Sequence, residues 1–373
     1  MIAQKKCVEE IKGLSDENTG ISDERLWFNA ANNGEIETLR TLYSGKNVGI
    51  NARYEHSSTA LIFAARNGSV PCVRFLLDAK ANIDVRNDYG ASAVMVAASE
   101  GNLECLKLLI EARGNVDVKT DDGLTALMVA TAKGHLECVR LLLDAKADIE
   151  AQKMDGLTVL MVAAQYQQNE CVRLLIDAKA NVDTGVGAGG TALSFAVVNG
   201  NDVAAKLLVE AKADLNTPDK YRYYPLIEVL QGSRCVECLR ILIEAKVDVN
   251  VKDRNDIPVI VSSVREPSNL TQLLLSAKAN VDVRDKHGMT AVMYAAENGR
   301  NAHVQVLVNA KANIDAMDGS QQTPLHYAAK NGHIAIVRML LDTKAAEISE
   351  RMKGSHFAAD DSVQPHLGTQ NGC

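Results

Sequence analysis

The sequence predicts an all-α solenoid of about ten helix–turn–helix units joined by short hairpin-like turns. Three observations carry this. A Thr/Ser-Ala-Leu-x-x-Ala block returns every 33 residues, beginning at Thr59, Ser92, Thr125, Thr158, Thr191, Tyr224, Ile257, Thr290 and Thr323. An Ala-Lys-Ala marker follows most blocks, from Ala79-Lys80-Ala81 through Ala310-Lys311-Ala312. Cys72, Cys105, Cys138 and Cys171 stand 33 residues apart, and Cys238 takes the same slot two units on. A fixed period of this length means that each unit buries its apolar face only against its neighbours.

Residues 1–21 form an N-terminal extension in which Cys7, Val8, Ile11 and Leu14 make one apolar stripe of a short helix. The repeat array spans residues 22–349. Its first unit is degenerate: Trp27, Ala30, Ala31 and Gly34 match Leu61, Ala64, Ala65 and Gly68 at an offset of 34. A terminal unit meets water on one face, so the lone Trp is expected to pack the cap. Residues 123–155 show the regular pattern. A turn ends at Thr125, Ala126–Ala132 reads as a short apolar helix, and Lys133-Gly134-His135 breaks it. Cys138, Leu141, Leu142 and Ala145 then recur at helical spacing, as in an amphipathic second helix. The polar stretch that follows ends in Asp155-Gly156, a turn signal. Unit seven has Val229-Leu230 in place of the usual Ala-Ala and one extra residue before Ala245; unit eight has Ser262-Ser263 there, and Pro267 near the missing turn Gly. Residues 350–373 lack periodicity and read as a disordered tail.

These blocks resemble the ankyrin-repeat family. The family's Thr-Pro-Leu-His-x-Ala signature stands intact at Thr323-Pro324-Leu325-His326-Tyr327-Ala328, and its Pro survives at Pro225 and Pro258. The resemblance implies a non-catalytic protein–protein interaction scaffold or adaptor. It also implies that fingers and inner helices line a long concave face, roughly 100 Å for ten layers about 10 Å apart. Two alternatives stay open: a targeting subunit of a larger enzyme complex, and a cytoskeletal or anionic-surface anchor.

The net charge of −7 argues against a nucleic-acid partner, which asks for a basic face. No apolar run approaches the length of a membrane span. Met1-Ile2-Ala3-Gln4 offers neither an apolar signal region nor the Gly of a myristoyl site, and Cys373 fits no prenylation signal. The in-register cysteines sit on helices about 8–10 Å apart, too far for disulfides. They read as reduced core residues of a cytoplasmic or nuclear protein. Protein partners, a monomeric array and no cofactor or metal are expected.

Other motifs fall to simpler readings. Gly185-Val186-Gly187-Ala188-Gly189-Gly190 matches a dinucleotide-binding pattern, but that pattern needs a preceding strand, and here it fills a turn slot. Cys235-Val236-Glu237-Cys238 is a single CxxC, short of a zinc ligand set and open as a redox dithiol. The Lys row ends each second helix where a left-handed residue is favoured, with an acid two residues earlier in most units. Arg74–Asp78, Arg140–Asp144 and their equivalents are spaced as i, i+4 ion pairs.

The finger tips carry most of the side-chain variety. They are exposed, rigidly held and free to vary, and Tyr and Arg are frequent interface anchors. The candidate partner-binding residues are Arg86, Tyr89, Lys153, Met154, Lys220, Tyr221, Arg222, Tyr223, Arg254, Lys286 and His287.

Overall fold

The computed structural model describes residues 23–45, 48–186, 190–216, 224–232 and 235–359, with side chains through Ser349. Among them are twenty α-helices in ten consecutive pairs and no strand longer than an isolated bridge. The pairs are α1 (Asp23–Asn33) and α2 (Ile36–Ser44), α3 (Ala60–Asn67) and α4 (Val70–Asp78), α5 (Ala93–Glu100) and α6 (Leu103–Glu111), α7 (Ala126–Lys133) and α8 (Leu136–Asp144), α9 (Val159–Gln165) and α10 (Asn169–Asp177). They continue with α11 (Ala192–Val198) and α12 (Asp202–Glu210), α13 (Pro225–Gln231) and α14 (Val236–Glu244), α15 (Val259–Ser262) and α16 (Ser268–Ser276), α17 (Ala291–Glu297) and α18 (Asn301–Asn309), α19 (Pro324–Lys330) and α20 (Ile334–Ala359).

Two compact bodies divide the chain, residues 1–162 and 163–373. In the first, α1, α3, α5 and α7 stack in order, and α2, α4, α6 and α8 stack beside them. In the second, α10, α12, α14, α16, α18 and α20 form the row of second helices.

Each part of the 33-residue block has a mechanical role. Thr59, Ser92, Thr125, Thr158 and Thr191 are extended N-caps whose hydroxyls accept the backbone N–H three residues on, at 3.3–3.4 Å. The apolar residues after each cap fill the core: Leu61, Leu127, Leu160 and Leu193 are all buried. Gly101 and Gly134 end the first helices at φ 73° and 75°, where a side chain would collide with the ring of His135 or strain the backbone. The second helices end in Schellman turns. Lys80 donates to Leu77 O at 3.0 Å and Ala81 to Leu76 O at 2.9 Å. The Lys row takes the expected left-handed conformation, φ 65–69° from Lys80 through Lys311. Lys344 does not, because α20 runs on through Thr343-Lys344-Ala345-Ala346 to Ala359. Lys344, Ala345 and Ala346 form helix well, so the expected array boundary at 349 falls inside a helix.

The repeat register differs from the sequence reading at unit eight. The N-cap there is Pro258, not Ile257: Lys252 bridges Pro258 as Gln152 bridges Thr158. Unit seven therefore steps eleven positions from its first N-cap, Tyr224, to its second, Cys235, and unit eight steps nine, from Pro258 to Pro267. The buried pair replacing Ala-Ala is Ser263-Val264, not Ser262-Ser263. With no glycine to reverse the chain, α15 stops after four residues in a 3-10 turn at Ser263–Arg265. The Ser263 hydroxyl donates to Ile260 O at 2.7 Å and lies 2.8 Å from Thr271 Oγ1, so this core polar pair is satisfied.

The ion pairs also differ. Arg140 and Arg173 reach back one turn to Glu137 and Glu170, at 3.6 and 3.9 Å, and Arg240 to Glu237 at 3.8 Å. An acid at the helix start also meets the positive end of the helix dipole, which favours this pairing over the acid four residues later. Trp27 is buried against Tyr43 as expected of a cap residue.

Candidate partner-binding fingers

Between each second helix and the next first helix the chain runs out as a finger. Two ladders hold these loops. In the first, a side-chain oxygen on one unit accepts a backbone N–H of the next. Asp84 Oδ1 takes Asn115 N–H at 2.9 Å, Asp117 takes Asp148 at 2.8 Å, and Asp282 takes Asn313 at 2.8 Å. The accepting residue is itself clamped, as Asp117 N–H donates to Asn115 Oδ1 at 2.9 Å. In the second ladder the tips join directly. Asp88 N–H donates to His56 O, Met154 N–H to Asp122 O and Gly319 N–H to His287 O, at 2.9–3.0 Å.

Each tip is a tight turn closed by its own backbone: Lys153 N–H reaches Leu157 O and Asp285 N–H reaches Met289 O. In the second body a carboxylate finishes the job. Asp285 accepts the N–H groups of His287 and Met289 and, at 2.7 Å, the phenol of Tyr294 on α17. Asp318 does the same with Ser320, Gln322 and Tyr327. The fingers are thus tied to the helices beneath them.

The structure sorts the sequence-nominated residues. Lys220, Tyr221, Arg222 and Tyr223 lie outside the described residues. Arg86 spends its guanidinium inside the array, on Asp121 Oδ1 at 2.9 Å and Gly90 O at 3.1 Å. Lys153 pairs with Asp155 at 3.1 Å. Both are therefore partly occupied with holding fingers in place. Tyr89 is 45% exposed with its ring 5.1 Å from His56. Met154 is 83% exposed at its tip. Arg254, Lys286 and His287 are exposed. Lys286 and His287 line a cavity of about 720 Å³ together with Arg284, Asp318, Gly319, Ser320 and Tyr327. The sequence does not single out Arg284 and Tyr327, which line the same cavity. The signal was present in the register: Arg53, Arg86 and Arg284 are separated by multiples of 33, and Arg53 and Arg284 each donate to a carbonyl of the next finger, Arg86 O and Met317 O.

Val186 N–H closes a finger turn onto Gly190 O at 3.1 Å, and α11 starts after the Thr191 cap. Gly187 to Gly189 lie outside the described residues. No cluster of three His, Cys, Asp or Glu is placed to hold a metal among the described residues. No described helix is long and apolar enough to cross a membrane.

Paired helices stacked at a 33-residue period, with laddered loops and variable tips, define a helical repeat solenoid. A family profile described as ankyrin repeats (3 copies) matches residues 27–120, 94–186, 180–253 and 260–352. The chain belongs to the ankyrin-repeat family. The solved human ASB11 ankyrin repeat domain is similar over 59% of this chain and 96% of that domain, with a TM-score of 0.52 and 25% identity. Palmitoyltransferase akr1 of Schizosaccharomyces pombe is 39% identical over 57 residues, which is 15% of this chain and 9% of the transferase. Ankyrin repeats generally mediate protein–protein interaction, and the fold is typically non-catalytic.

Proposed function

We propose that this chain is a non-catalytic interaction scaffold or adaptor that works as a monomeric array and captures protein partners along its fingers. The observation that carries the reading is Met154. Its side chain is 83% exposed while its own N–H is locked onto Asp122 O. An apolar side chain already held out on a rigid tip loses little further freedom when a partner buries it. The exposed Lys286 and His287 beside their cavity offer a polar counterpart in the second body. Core thiols that remain unpaired by disulfides fit a reducing compartment, the cytoplasm or nucleus.

Affinity purification with mass spectrometry tests the reading. Wild type is compared with Met154→Ala, with a Lys286→Ala/His287→Ala pair and with a Tyr221→Ala/Arg222→Ala/Tyr223→Ala triple variant. A scaffold loses a defined set of proteins in at least one variant and keeps it at moderate salt. Retention by all variants, with loss in salt, would move the function to an anionic-surface anchor built on the Lys row.

A further inference from the structure

The residue just before each second helix normally ties its unit to the one before. Asn102 donates to Ala65 O and Arg66 O, at 2.9 and 2.8 Å. The His135 ring lies 3.0 Å from Ser99 O, and His333 lies 3.0 Å from Glu297 O. In unit seven this slot holds Cys235. Its Sγ accepts the Cys238 N–H at 3.2 Å and so caps α14. The Cys238 thiol hydrogen-bonds the Cys235 thiol. Cys238 itself is explained by packing, since it fills the buried slot of Cys72, Cys105, Cys138 and Cys171. Cys235 is not explained that way. The N-cap partners of those four thiols are Ser69, Asn102, His135 and Gln168. Only unit seven, among the described residues, places a half-buried thiol on a fully buried one.

We propose that Cys235 and Cys238 form a thiol–disulfide exchange site whose oxidant is a small-molecule disulfide of the oxidised-glutathione class.

Cys235 is the more exposed sulfur and the point of entry. Its thiolate attacks one sulfur of the oxidant; the oxidant's S–S bond breaks, and one glutathione leaves as thiolate and takes up a proton. Cys235 then carries a mixed disulfide. Cys238 gives up its proton, its sulfur attacks the Cys235 sulfur, and the second glutathione leaves as thiolate and is protonated in turn. Two protein thiols lose two electrons and two protons, and one disulfide becomes two thiols. An excess of glutathione reverses the sequence. Cys238 is the slow partner: burial, and then the contact with Cys235, push its thiol well above the ordinary range. Ring closure therefore accelerates about tenfold per pH unit while the thiol stays mostly protonated.

The full-length protein is held in glutathione redox buffers of rising oxidised fraction, alkylated and digested with trypsin. Arg234 and Arg240 bracket residues 235–240, so both cysteines fall in one peptide. The expected result is a peptide lighter by two hydrogens, restored by dithiothreitol. Cys238→Ala should stop at a glutathione adduct on Cys235; this variant is chosen because Ala204 fills the same buried slot in unit six. Cys235→Ser should give neither adduct nor disulfide. A wild-type peptide that stays doubly alkylated at every ratio, or that carries only an adduct on Cys235, overturns the proposal.

Discussion

The phenol of Tyr327 donates a 2.6 Å hydrogen bond to Asp318, nine residues earlier, and joins an inner helix to the finger in front of it. Tyr294 and Asp285 repeat the relationship one unit before, at 2.7 Å. The bond holds the Asp318 carboxyl below its ordinary range, since it stabilises the anion. The same bond, with some burial, pushes Tyr327 up to about 12, and Tyr294 also rises to about 12, there chiefly through burial. The signs follow. The Asp318 contribution to stability is present above the ordinary carboxylate range and is lost as pH falls through its lowered value. The tyrosine contribution is present below about 10 and is lost as pH rises toward about 12. Absorbance of ionised phenol should therefore show Tyr294 and Tyr327 among the late-titrating tyrosines, with Tyr54 also raised by burial. Asp318→Asn should return one of them toward 10.0, the ordinary value. An unchanged titration would break the assignment.

The core thiols should be inert. Cys105 and Cys171 are buried and raised to about 11, with desolvation as the main cause, and the thiolate is the reactive species. In native protein, maleimide should label Cys235 before Cys72, Cys105, Cys138, Cys171 or Cys238. Rapid labelling of Cys105 or Cys138, read by peptide mass, would contradict the stacking.

Units seven and eight should be the soft part of the array. Solenoid stability is close to a sum over units and their interfaces. Unit seven carries an extra residue, α15 is four residues long, and a Ser–Thr pair stands in the core of unit eight. Amide exchange should be fastest across residues 222–270, compared with residues 92–180. Equal protection over the two stretches would show that the register shift costs nothing.

The fold was legible because its signals repeat. Caps, left-handed lysines and core cysteines each recur at one spacing, so neighbours corroborate one another. The register at Pro258 was not legible, because Pro fits both an N-cap and a first helical position, and only the bridge to Lys252 decides. The loop ladders escaped notice for a related reason. Asn115 and Asp117 look like ordinary polar loop residues until Asp84 is seen 2.9 Å from the Asn115 N–H. The site was legible as tips but not as roles: Arg86 and Met154 are both tip residues, yet one holds the array and the other faces water.

His303 gives a pH test of the core. It fills the cysteine slot in unit nine and is buried. Burial lowers its pKa, the nearby Arg300 charge adds to this, and the carbonyls of Glu266 and Ser263 oppose it. The unfolded chain then binds a proton before the folded one does. Stability should fall as pH drops below about 6.5, until the folded value is passed. His303→Cys restores the residue used at Cys72 and removes this proton. The thermal midpoint of the variant should lose less than wild type between pH 7.5 and 5.5; parallel curves would refute the linkage.

The last prediction separates holding from binding. Arg86 bridges to Asp121 with both side chains largely in water, so Arg86→Ala should cost at most about 1 kcal/mol of stability. Met154→Ala should change stability by only about 0.5 kcal/mol, as exposed substitutions do. Partner affinity should behave in the opposite way. An anchor that seats in a partner's pocket costs about 2 kcal/mol or more on truncation, a loss of roughly thirtyfold. Thermal melts and partner titrations on the same preparations read both quantities. Loss of binding that tracks loss of stability across the series would mean that the fingers serve the fold alone, and the partner surface would then have to be sought on the helices.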